Sequence, residues 1–308
     1  MKAETFDPDP HALNQYGHCI FHPDMPKPQA GENVVPDQNE IGVTSLFSLR
    51  GKVSVITGGG SGIGAMIAAG YVANGARVYI VSRKDCSPFA AQLSHKYEGE
   101  CISIQGDLAK PDSLVQVVSK ICTREPGGIH ILVNNAGTNW SQPFDDYSLE
   151  GWDRVYDLNV RSVFHMTQKL APALERAASN DIPSRVINIS SIDAENVTPL
   201  PTFAYSSGKA AVIRLTKVLA GHLAVRNICV NAVLPGAFPS RMMRATLREA
   251  GDAIALSNPM QRVGGIKDIA GTCIFLASRA SSWITGSTVT VDGGALLNID
   301  TRAIRTKL

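Results

Sequence analysis

The sequence lacks the features that mark several large classes of protein. No apolar run among its 308 residues approaches the roughly 20 residues that a membrane-spanning helix needs. The segment Met1 to Pro10 is acidic and polar, without the apolar core of a secretory signal. The formal net charge is only +2, with lysine and arginine dispersed along the chain. We therefore expect a cytoplasmic protein whose partners include neither a membrane nor a nucleic acid.

Closely paired cysteines are also missing. The six cysteines are widely spaced and form no Cys-x-x-Cys motif, which in a chain of this size indicates reduced thiols of an intracellular protein. The segment His18-Cys19-x-x-His22 has a faintly metal-like spacing. It lies in a proline-rich stretch without a second pair of ligands, so we expect no metal site.

Regular periodicity is absent from the first part of the chain. Residues 1–45 hold six of the seventeen prolines and follow neither the period of a helix nor that of a strand. They predict an extended or disordered N-terminal arm. Residues 46–308 predict a single folded domain.

Short apolar runs alternate with helical stretches from Leu49 onwards. Seven runs predict strands, at 53–57, 77–82, 101–105, 129–134, 185–191, 228–234 and 288–291. Helices are predicted between them, at 62–74, 89–96, 112–124, 151–178, 205–225, 241–255 and 266–277. This alternation predicts an α/β fold, a doubly wound seven-stranded parallel sheet with helices on both faces. Ligands of such sheets bind beyond the carboxyl ends of the strands.

A glycine-rich segment joins the first predicted strand to the first predicted helix. It reads Thr57-Gly58-Gly59-Gly60-Ser61-Gly62-Ile63-Gly64. Glycines here allow a tight turn and the close approach of a pyrophosphate, and the helix N-terminus offers free N–H groups to the phosphates. The segment predicts a dinucleotide site, against the alternative of a turn without a ligand. Its candidate contacts are Gly58, Ser61, Gly62, Ile63 and Gly64.

The end of the second predicted strand indicates which dinucleotide is bound. An NAD site usually carries a carboxylate here, whereas this chain has Ser82-Arg83-Lys84. Arg83 can hold a 2′-phosphate bidentately, and Lys84 adds a second positive charge. We therefore predict NADPH or NADP+ as the cofactor; the alternative is a solvated basic loop.

Further candidate cofactor contacts follow the third and fourth strands. Asp107, followed by Leu108, could accept a hydrogen bond from the adenine amino group or cap the next helix. In the segment Asn135-Ala136-Gly137 small residues let the backbone pass close to a cofactor, and the preceding Asn134 can tie neighbouring strands together.

Tyr205 and Lys209 are separated by one helical turn and so share a helix face. An ammonium held there can lower the pKa of the phenol, which makes it a usable proton donor and acceptor. Alone, this spacing often arises by chance on a solvated helix. Support comes from Ser190-Ser191, which closes an apolar run upstream, and from the glycine-rich segment.

Taken together, the motifs resemble the short-chain dehydrogenase/reductase family. The matching set covers about Leu49 to Gly294, in family order and spacing: Thr57-Gly58-x-x-x-Gly62-x-Gly64, Asp107, Asn134-Asn135-Ala136-Gly137, Asn159, Ser191, Tyr205-x-x-x-Lys209 and Pro235-Gly236. Within the family the chain is most similar to the NADPH-dependent β-ketoacyl reductases of the rhamnolipid-pathway type. The resemblance implies that residues 46–308 form one Rossmann-like catalytic domain.

The resemblance also implies catalytic roles. Tyr205 would protonate a carbonyl oxygen while Ser191, or less readily Ser190, hydrogen-bonds that oxygen. Lys209 would lower the pKa of Tyr205, and Tyr205 and Lys209 would both contact the cofactor, Lys209 through the ribose hydroxyls. Asn159 would hold a water that relays protons towards Lys209, unless it is a buried helix asparagine bonded to backbone.

The segment after the sixth strand is expected to meet the nicotinamide carboxamide. Its candidate contacts are Pro235, Gly236, Phe238 and Ser240. A helical lid beyond it would cover the substrate. The predicted apolar pocket, whose members could equally be core or oligomer contacts, comprises Trp140, Leu200, Phe203, Met242, Met243, Leu247 and Ile254.

The predicted function is NADPH-dependent reduction of a ketone, a β-ketoacyl thioester or a polyketide-like substrate, by a homodimer or homotetramer. One alternative is an alcohol dehydrogenase or epimerase of secondary metabolism that uses the same residues. Another is a nucleotide-sensing regulator without turnover, although such relatives commonly lose the tyrosine or the lysine. The C-terminal Thr306-Lys307-Leu308 differs by one residue from a peroxisomal address, which leaves that compartment as a weaker alternative.

Overall fold

The computed structural model describes residues 37–299. Most of the predicted arm, the His18–His22 segment and the C-terminal Thr306–Leu308 therefore lie outside the described residues. Two short helices begin the described part, α1 (Gln38–Ile41) and α2 (Val43–Phe47). None of the helices between residues 37 and 299 combines the length and apolarity needed to cross a bilayer.

Seven parallel strands form one sheet in the order β3-β2-β1-β4-β5-β6-β7. The strands are β1 (Val53–Thr57), β2 (Arg77–Ser82), β3 (Glu100–Gln105), β4 (Ile131–Asn134), β5 (Ser184–Ile189), β6 (Ile228–Pro235) and β7 (Thr288–Val291). The chain runs outwards from β1 to β3 and then returns to β4 on the other side of β1. Strand order thus reverses between β1 and β4, and this reversal creates a ligand-binding crevice at their carboxyl ends. The predicted doubly wound sheet is confirmed.

Helices cover both faces of the sheet because neighbouring residues of each strand point to opposite sides. The helices after α2 are α3 (Gly62–Ala73), α4 (Ser87–Lys96), α5 (Pro111–Arg124), α6 (Leu149–Tyr156), α7 (Ser162–Ala177), α8 (Phe203–Leu223), α9 (Arg244–Ser257) and α10 (Ile266–Ala277). Val55 belongs to one buried cluster, with α5, α7 and α8, whereas Ile56 belongs to the other, with α3, α4 and α10.

The long helix predicted at 151–178 is interrupted in the structure. A π-helical turn, Asp157–Arg161, separates α6 from α7. A single wider turn leaves the apolar period intact on either side, so the sequence pattern does not reveal it. Such turns often mark functional sites, and Asn159 lies at the centre of this one.

A buried ladder of polar side chains joins the sheet to two helices. Asn134 Nδ2 donates to Asn188 Oδ1 at 2.8 Å and to Thr167 Oγ1 of α7 at 3.1 Å. Asn188 Nδ2 in turn donates to Thr216 Oγ1 of α8 at 2.9 Å. Asn134 therefore ties β4 to β5, as its position at the end of the strand predicts.

Candidate active site

The turn between β1 and α3 requires glycine for two separate reasons. Gly58 and Gly62 have φ angles of +66° and +55°, the left-handed region that favours glycine. A Cβ atom would also lie 2.9 Å from Asn135 Nδ2 at Gly58 and 3.0 Å from Ser240 Cβ at Gly62, and at Gly64 it would overlap Asn135 Nδ2. The turn is therefore a close-packed cradle with no room for a side chain at these three positions.

Hydrogen bonds hold this cradle rigid. Thr57 Oγ1 accepts from the backbone N–H groups of Asn135 and Ala136, both at 2.9 Å, and Asn135 Nδ2 donates to the Thr57 carbonyl at 2.9 Å. The carboxyl ends of β1 and β4 are thus locked together. Ser61 is exposed at the start of α3, and its side chain makes no capping bond. The N–H groups of the first helical turn, which includes Ile63, are therefore available to a phosphate.

The basic pair at the end of β2 is available to a ligand. Arg83 and Lys84 are exposed, and neither forms an ion pair with another residue between 37 and 299. The Arg83 carbonyl accepts from Gln105 Nε2 at 2.9 Å, which anchors its backbone to the end of β3. Ser82 lies beside the glycine turn, since a Cβ on Gly60 would be 3.1 Å from its hydroxyl. These positions suit recognition of a phosphate on the adenosine ribose.

The two candidate contacts after β3, Asp107 and Leu108, differ in how far they are buried. Asp107 is half-buried, and its Oδ1 accepts from the Ala109 N–H at 3.2 Å, so it supports the turn before α5 rather than capping that helix. Leu108 is only 5% exposed and packs in the core with α5. The side chain of Leu108 is therefore buried, and a contact between Leu108 and a cofactor would be made by its backbone.

The structure distinguishes between the two candidate serines after β5. Ser190 Oγ donates to the Lys209 carbonyl at 2.7 Å, so its hydroxyl is used to hold α8 against the sheet. The Ser191 hydroxyl instead accepts from the Asp193 N–H at 3.1 Å and lies close enough to Tyr205 to act against the rise in the pKa of its phenol. Ser191 is thus the hydroxyl that reaches the phenol.

Lys209 and Tyr205 lie together in a dry environment. Lys209 is 5% exposed, its Nζ donates to the Ile189 carbonyl at 2.7 Å, and it lies 5.6 Å from the centroid of the Tyr205 ring. Burial lowers the pKa of Lys209 to about 8. Burial also raises the pKa of Tyr205 to about 12, with the Ser191 hydrogen bond opposing this and the Asp193 charge adding to it.

The expected lowering of the Tyr205 pKa by Lys209 is therefore wrong for this structure. The loss of solvation on burying the phenol is the largest effect, and the ammonium is held by a backbone carbonyl. A phenol with a raised pKa keeps its proton at neutral pH. This is the protonation state that a proton donor needs.

Asn159 clamps the loop that follows β4. Its Oδ1 accepts from the Thr138 N–H and its Nδ2 donates to the Thr138 carbonyl, both at 2.9 Å. The side chain is 1% exposed, as in the alternative of a buried asparagine bonded to backbone. Gly137 passes close to it, since a Cβ there would lie 3.4 Å from Asn159 Oδ1.

The segment after β6 crosses the mouth of the crevice. The Gly236 N–H, next to Pro235, donates to the Val291 carbonyl at 3.0 Å, and Ser240 packs against Gly62. Phe238 is 2% exposed, and a side chain on Gly264 would overlap its ring. Phe238 therefore anchors the segment, and only its backbone remains available to a cofactor.

The predicted lid and pocket are only partly enclosed. None of the residues of α9 is buried. The predicted pocket residues fall into two groups by burial. Four are half-buried, Trp140, Met243, Leu247 and Ile254, and three are exposed, Leu200, Phe203 and Met242.

The sequence analysis missed a tyrosine that braces the start of α8. Tyr147 Oη donates to the Trp140 carbonyl at 3.2 Å and accepts from the Ala204 N–H at 3.4 Å. Its ring meets that of Phe203 edge-on, with centroids 5.4 Å apart. Tyr147 lies in a loop without periodicity, so no pattern in the sequence points to it.

Known proteins are similar to this chain over most of its length. A family model described as enoyl-(acyl carrier protein) reductase matches residues 58–295. The rhamnolipids biosynthesis 3-oxoacyl-[acyl-carrier-protein] reductase of Pseudomonas aeruginosa is 40% identical over 255 residues, which cover 80% of this chain and 97% of that protein. The 7alpha-hydroxysteroid dehydrogenase of Escherichia coli K12 is 32% identical over 254 residues, covering 82% and 97%.

Solved structures agree with these relatives. The Pseudomonas aeruginosa RhlG/NADP active-site complex has a TM-score of 0.78 and 39% identity, covering 82% of this chain and 98% of that one. A short-chain type dehydrogenase/reductase from Mycobacterium marinum has a TM-score of 0.75 and 33% identity, with the same coverage. Fold, motif order and similarity lead to one conclusion: the chain belongs to the short-chain dehydrogenase/reductase family.

Proposed function

We propose that this protein uses NADPH to reduce a ketone to a secondary alcohol at Ser191, Tyr205 and Lys209. The observation that supports this most is the meeting of the Ser191 hydroxyl with a protonated Tyr205 beside buried Lys209, next to the crevice between β1 and β4. An alcohol dehydrogenase or epimerase would use the same groups. A regulator without turnover would not need them.

The residues of the crevice fit this cofactor. The turn at Gly58 and Gly62 carries no side chain that would keep a pyrophosphate away from its backbone, as a dinucleotide site requires. Arg83 and Lys84 would hold the 2′-phosphate. When bound, NADPH supplies the hydride that the carbonyl carbon receives.

The protein's own residues would handle the oxygen and its proton. The Tyr205 hydroxyl donates its proton to the carbonyl oxygen, and the Ser191 hydroxyl hydrogen-bonds the negative charge that develops there. Lys209, fixed by the Ile189 carbonyl, keeps a positive charge beside the phenol as its proton leaves. A relay water beside Asn159 stays a prediction.

The finer substrate assignment is a β-ketoacyl thioester or a polyketide-like ketone. The name of the Pseudomonas relative supports a β-ketoacyl substrate. Exposed Arg241 and Arg244, next to the lid, could meet an acidic carrier protein. We further propose a homodimer or homotetramer.

The decisive experiment follows NADPH oxidation against a panel of ketones that includes acyl thioesters. Tyr205→Phe should lower kcat by about 10²-fold or more, because the proton donor is lost, while NADPH binding is retained. Tyr97→Phe, which alters a phenol that packs beside Lys96, is the control and should behave as the parent protein. Undiminished turnover by Tyr205→Phe would refute the assignment.

A further inference from the structure

A carboxylate lies beside the proposed catalytic residues and has no part in the proposed reaction. Asp193 lies in the 3-10 turn Ile192–Ala194 that follows Ser191, and its N–H donates to the Ser191 hydroxyl at 3.1 Å. The residue is half-buried. Its side chain makes no hydrogen bond or ion pair with any other residue in the described range 37–299.

The charge of this carboxylate is felt at the catalytic phenol. Burial raises the pKa of Asp193, and the Asp193 charge raises the pKa of Tyr205. The buried cation nearby, Lys209, is bonded to the Ile189 carbonyl instead. A half-buried carboxylate without a protein partner bonds water while the site is open, so a substrate that displaces this water must supply a donor in its place.

The surroundings show what kind of group could fill this need. The half-buried residues expected around the substrate, Trp140, Met243 and Leu247, are largely apolar. The indole N–H of Trp140 is already bonded to Gln142 Oε1 at 2.9 Å. A hydroxyl group of the substrate is a donor that could replace the water at Asp193.

We propose that Asp193 is a specificity-determining residue that accepts a hydrogen bond from a hydroxyl group of the substrate. This inference rests on the proposed function and narrows it to hydroxyketones, such as β-hydroxyketones of the polyketide type. An anionic ketone is disfavoured, because its charge meets the Asp193 carboxylate. A simple β-ketoacyl thioester offers only acceptors at the corresponding position.

Three ketones of similar length isolate this contact. 4-Hydroxybutan-2-one, pentan-2-one and acetoacetate present a hydroxyl, a methyl and a carboxylate group at the same end. The expected order of kcat/KM is hydroxyketone, then pentan-2-one, then acetoacetate. The first step should be at least about tenfold, as for loss of a hydrogen bond to a charged group.

Variants of Asp193 should change these ratios. Asp193→Ala should bring the hydroxyketone and pentan-2-one within about threefold, because the acceptor is gone. Asp193→Asn keeps an acceptor but no charge, so it should retain part of the hydroxyl preference and improve acetoacetate. Glu195→Ala, at an exposed acid on the same loop, is the matched control and should leave all ratios unchanged.

The outcomes separate this inference from the proposed function. Ratios are independent of the folded fraction, and melting curves show whether each variant folds. Reduction of the hydroxyketone and pentan-2-one with equal kcat/KM would overturn the role of Asp193 but leave ketone reduction intact. If none of the three ketones is reduced, the affinities of the same ketones for the complex of the protein with NADP+ test the inference instead. Equal affinities for the hydroxyketone and pentan-2-one would overturn it. Tighter binding of the hydroxyketone that is lost in Asp193→Ala would support it.

Discussion

Burial shifts the pKa values of two residues on one turn of α8 in opposite directions. It takes the pKa of Lys209 down to about 8 and that of Tyr205 up to about 12. Below pH 8 the pair therefore combines a protonated phenol with an ammonium. At the scale of single residues, the lysine is the group that titrates first as the pH rises.

We therefore expect ketone reduction to decline as the pH rises through about 8, where the ammonium beside Tyr205 loses its charge. The measurement is kcat against pH at saturating NADPH. Lys209→Met should remove this step along with most activity. A profile that stays flat up to pH 10 would contradict the assignment of the step to Lys209.

Arg83 should determine the choice of dinucleotide. Its guanidinium is exposed at the end of β2 and unpaired among residues 37–299. Arg83→Ala should raise the KM for NADPH about tenfold or more and leave the KM for NADH nearly unchanged, because only the former carries a 2′-phosphate. Lys120→Ala, at an exposed site on α5, serves as control. An unchanged NADPH KM in Arg83→Ala would exclude this role.

We expect His130 to make the stability of the fold depend on pH. Its Nδ1 accepts from the Val53 N–H at 3.1 Å, so the folded state needs a neutral ring. Burial lowers its pKa to about 4, hence between pH 6.5 and 4 the unfolded chain binds more protons. Stability should fall by about 1–2 kcal/mol as the pH drops through this window, after allowance for solvent screening.

Thermal melting at pH 7 and pH 4.5 measures this effect. In His130→Asn the part of the pH-dependent stability that is due to residue 130 should largely disappear, since an amide oxygen can accept the Val53 N–H bond without titrating. His95→Asn, at an exposed histidine, should keep the parent's dependence. Identical pH dependence in the parent and in His130→Asn would contradict the prediction.

At the scale of elements, the first turn of α8 positions Tyr205. Thr202 precedes this helix and makes no capping bond with its side chain. Tyr147 supplies one from another part of the chain, through the Ala204 N–H. The residue before Tyr205 is thus held by a phenol that touches no reacting atom.

Tyr147→Phe should therefore lower kcat about three- to tenfold and leave the KM for NADPH unchanged, because only the orientation of Tyr205 is affected. The loss of stability should be about 1 kcal/mol. Tyr156→Phe removes a hydroxyl that bonds Ser207 on an exposed part of the same helix, at 3.2 Å, and is the control. An equal loss of kcat in both variants would indicate a general effect on α8.

Sequence patterns predict elements well where local signals bound them. The ranges predicted at 53–57, 77–82, 266–277 and 288–291 agree with β1, β2, α10 and β7. The break in the helix predicted at 151–178 depends instead on contacts such as the hydrogen bonds between Asn159 and Thr138. These two residues are distant in the sequence, so the periodicity of the helix does not reveal their contact.

The same limit applies to the site. The spacing of Tyr205 and Lys209 and the position of the glycine turn follow from local sequence. The choice of Ser191 over Ser190 depends on which hydroxyl the Lys209 carbonyl engages, and the direction of the Tyr205 pKa depends on burial. Both are tertiary properties.

At the scale of the whole molecule, several large apolar side chains are exposed, and Trp283 is the most exposed of them among residues 37–299. Trp283 is 98% exposed, and Val225 is 75% exposed. Indole surface of this kind is typical of contacts between protein copies. Light scattering should give a mass that is a multiple of 32.9 kDa, and Trp283→Ser should shift the protein towards smaller species. A monomeric parent protein would contradict both the assembly and this role.

The amide ladder between β4, β5, α7 and α8 restricts which sequences can replace this one. An apolar residue in place of Asn188 alone would remove one hydrogen-bond partner from each of Asn134 and Thr216, and Asn134 Oδ1 already has none among the described groups. Replacing the whole set by apolar residues would remove that cost. A protein with the polar ladder and one with an apolar core at these positions are thus separated by variants less stable than either. Single substitutions therefore cannot convert one into the other without a loss of stability on the way.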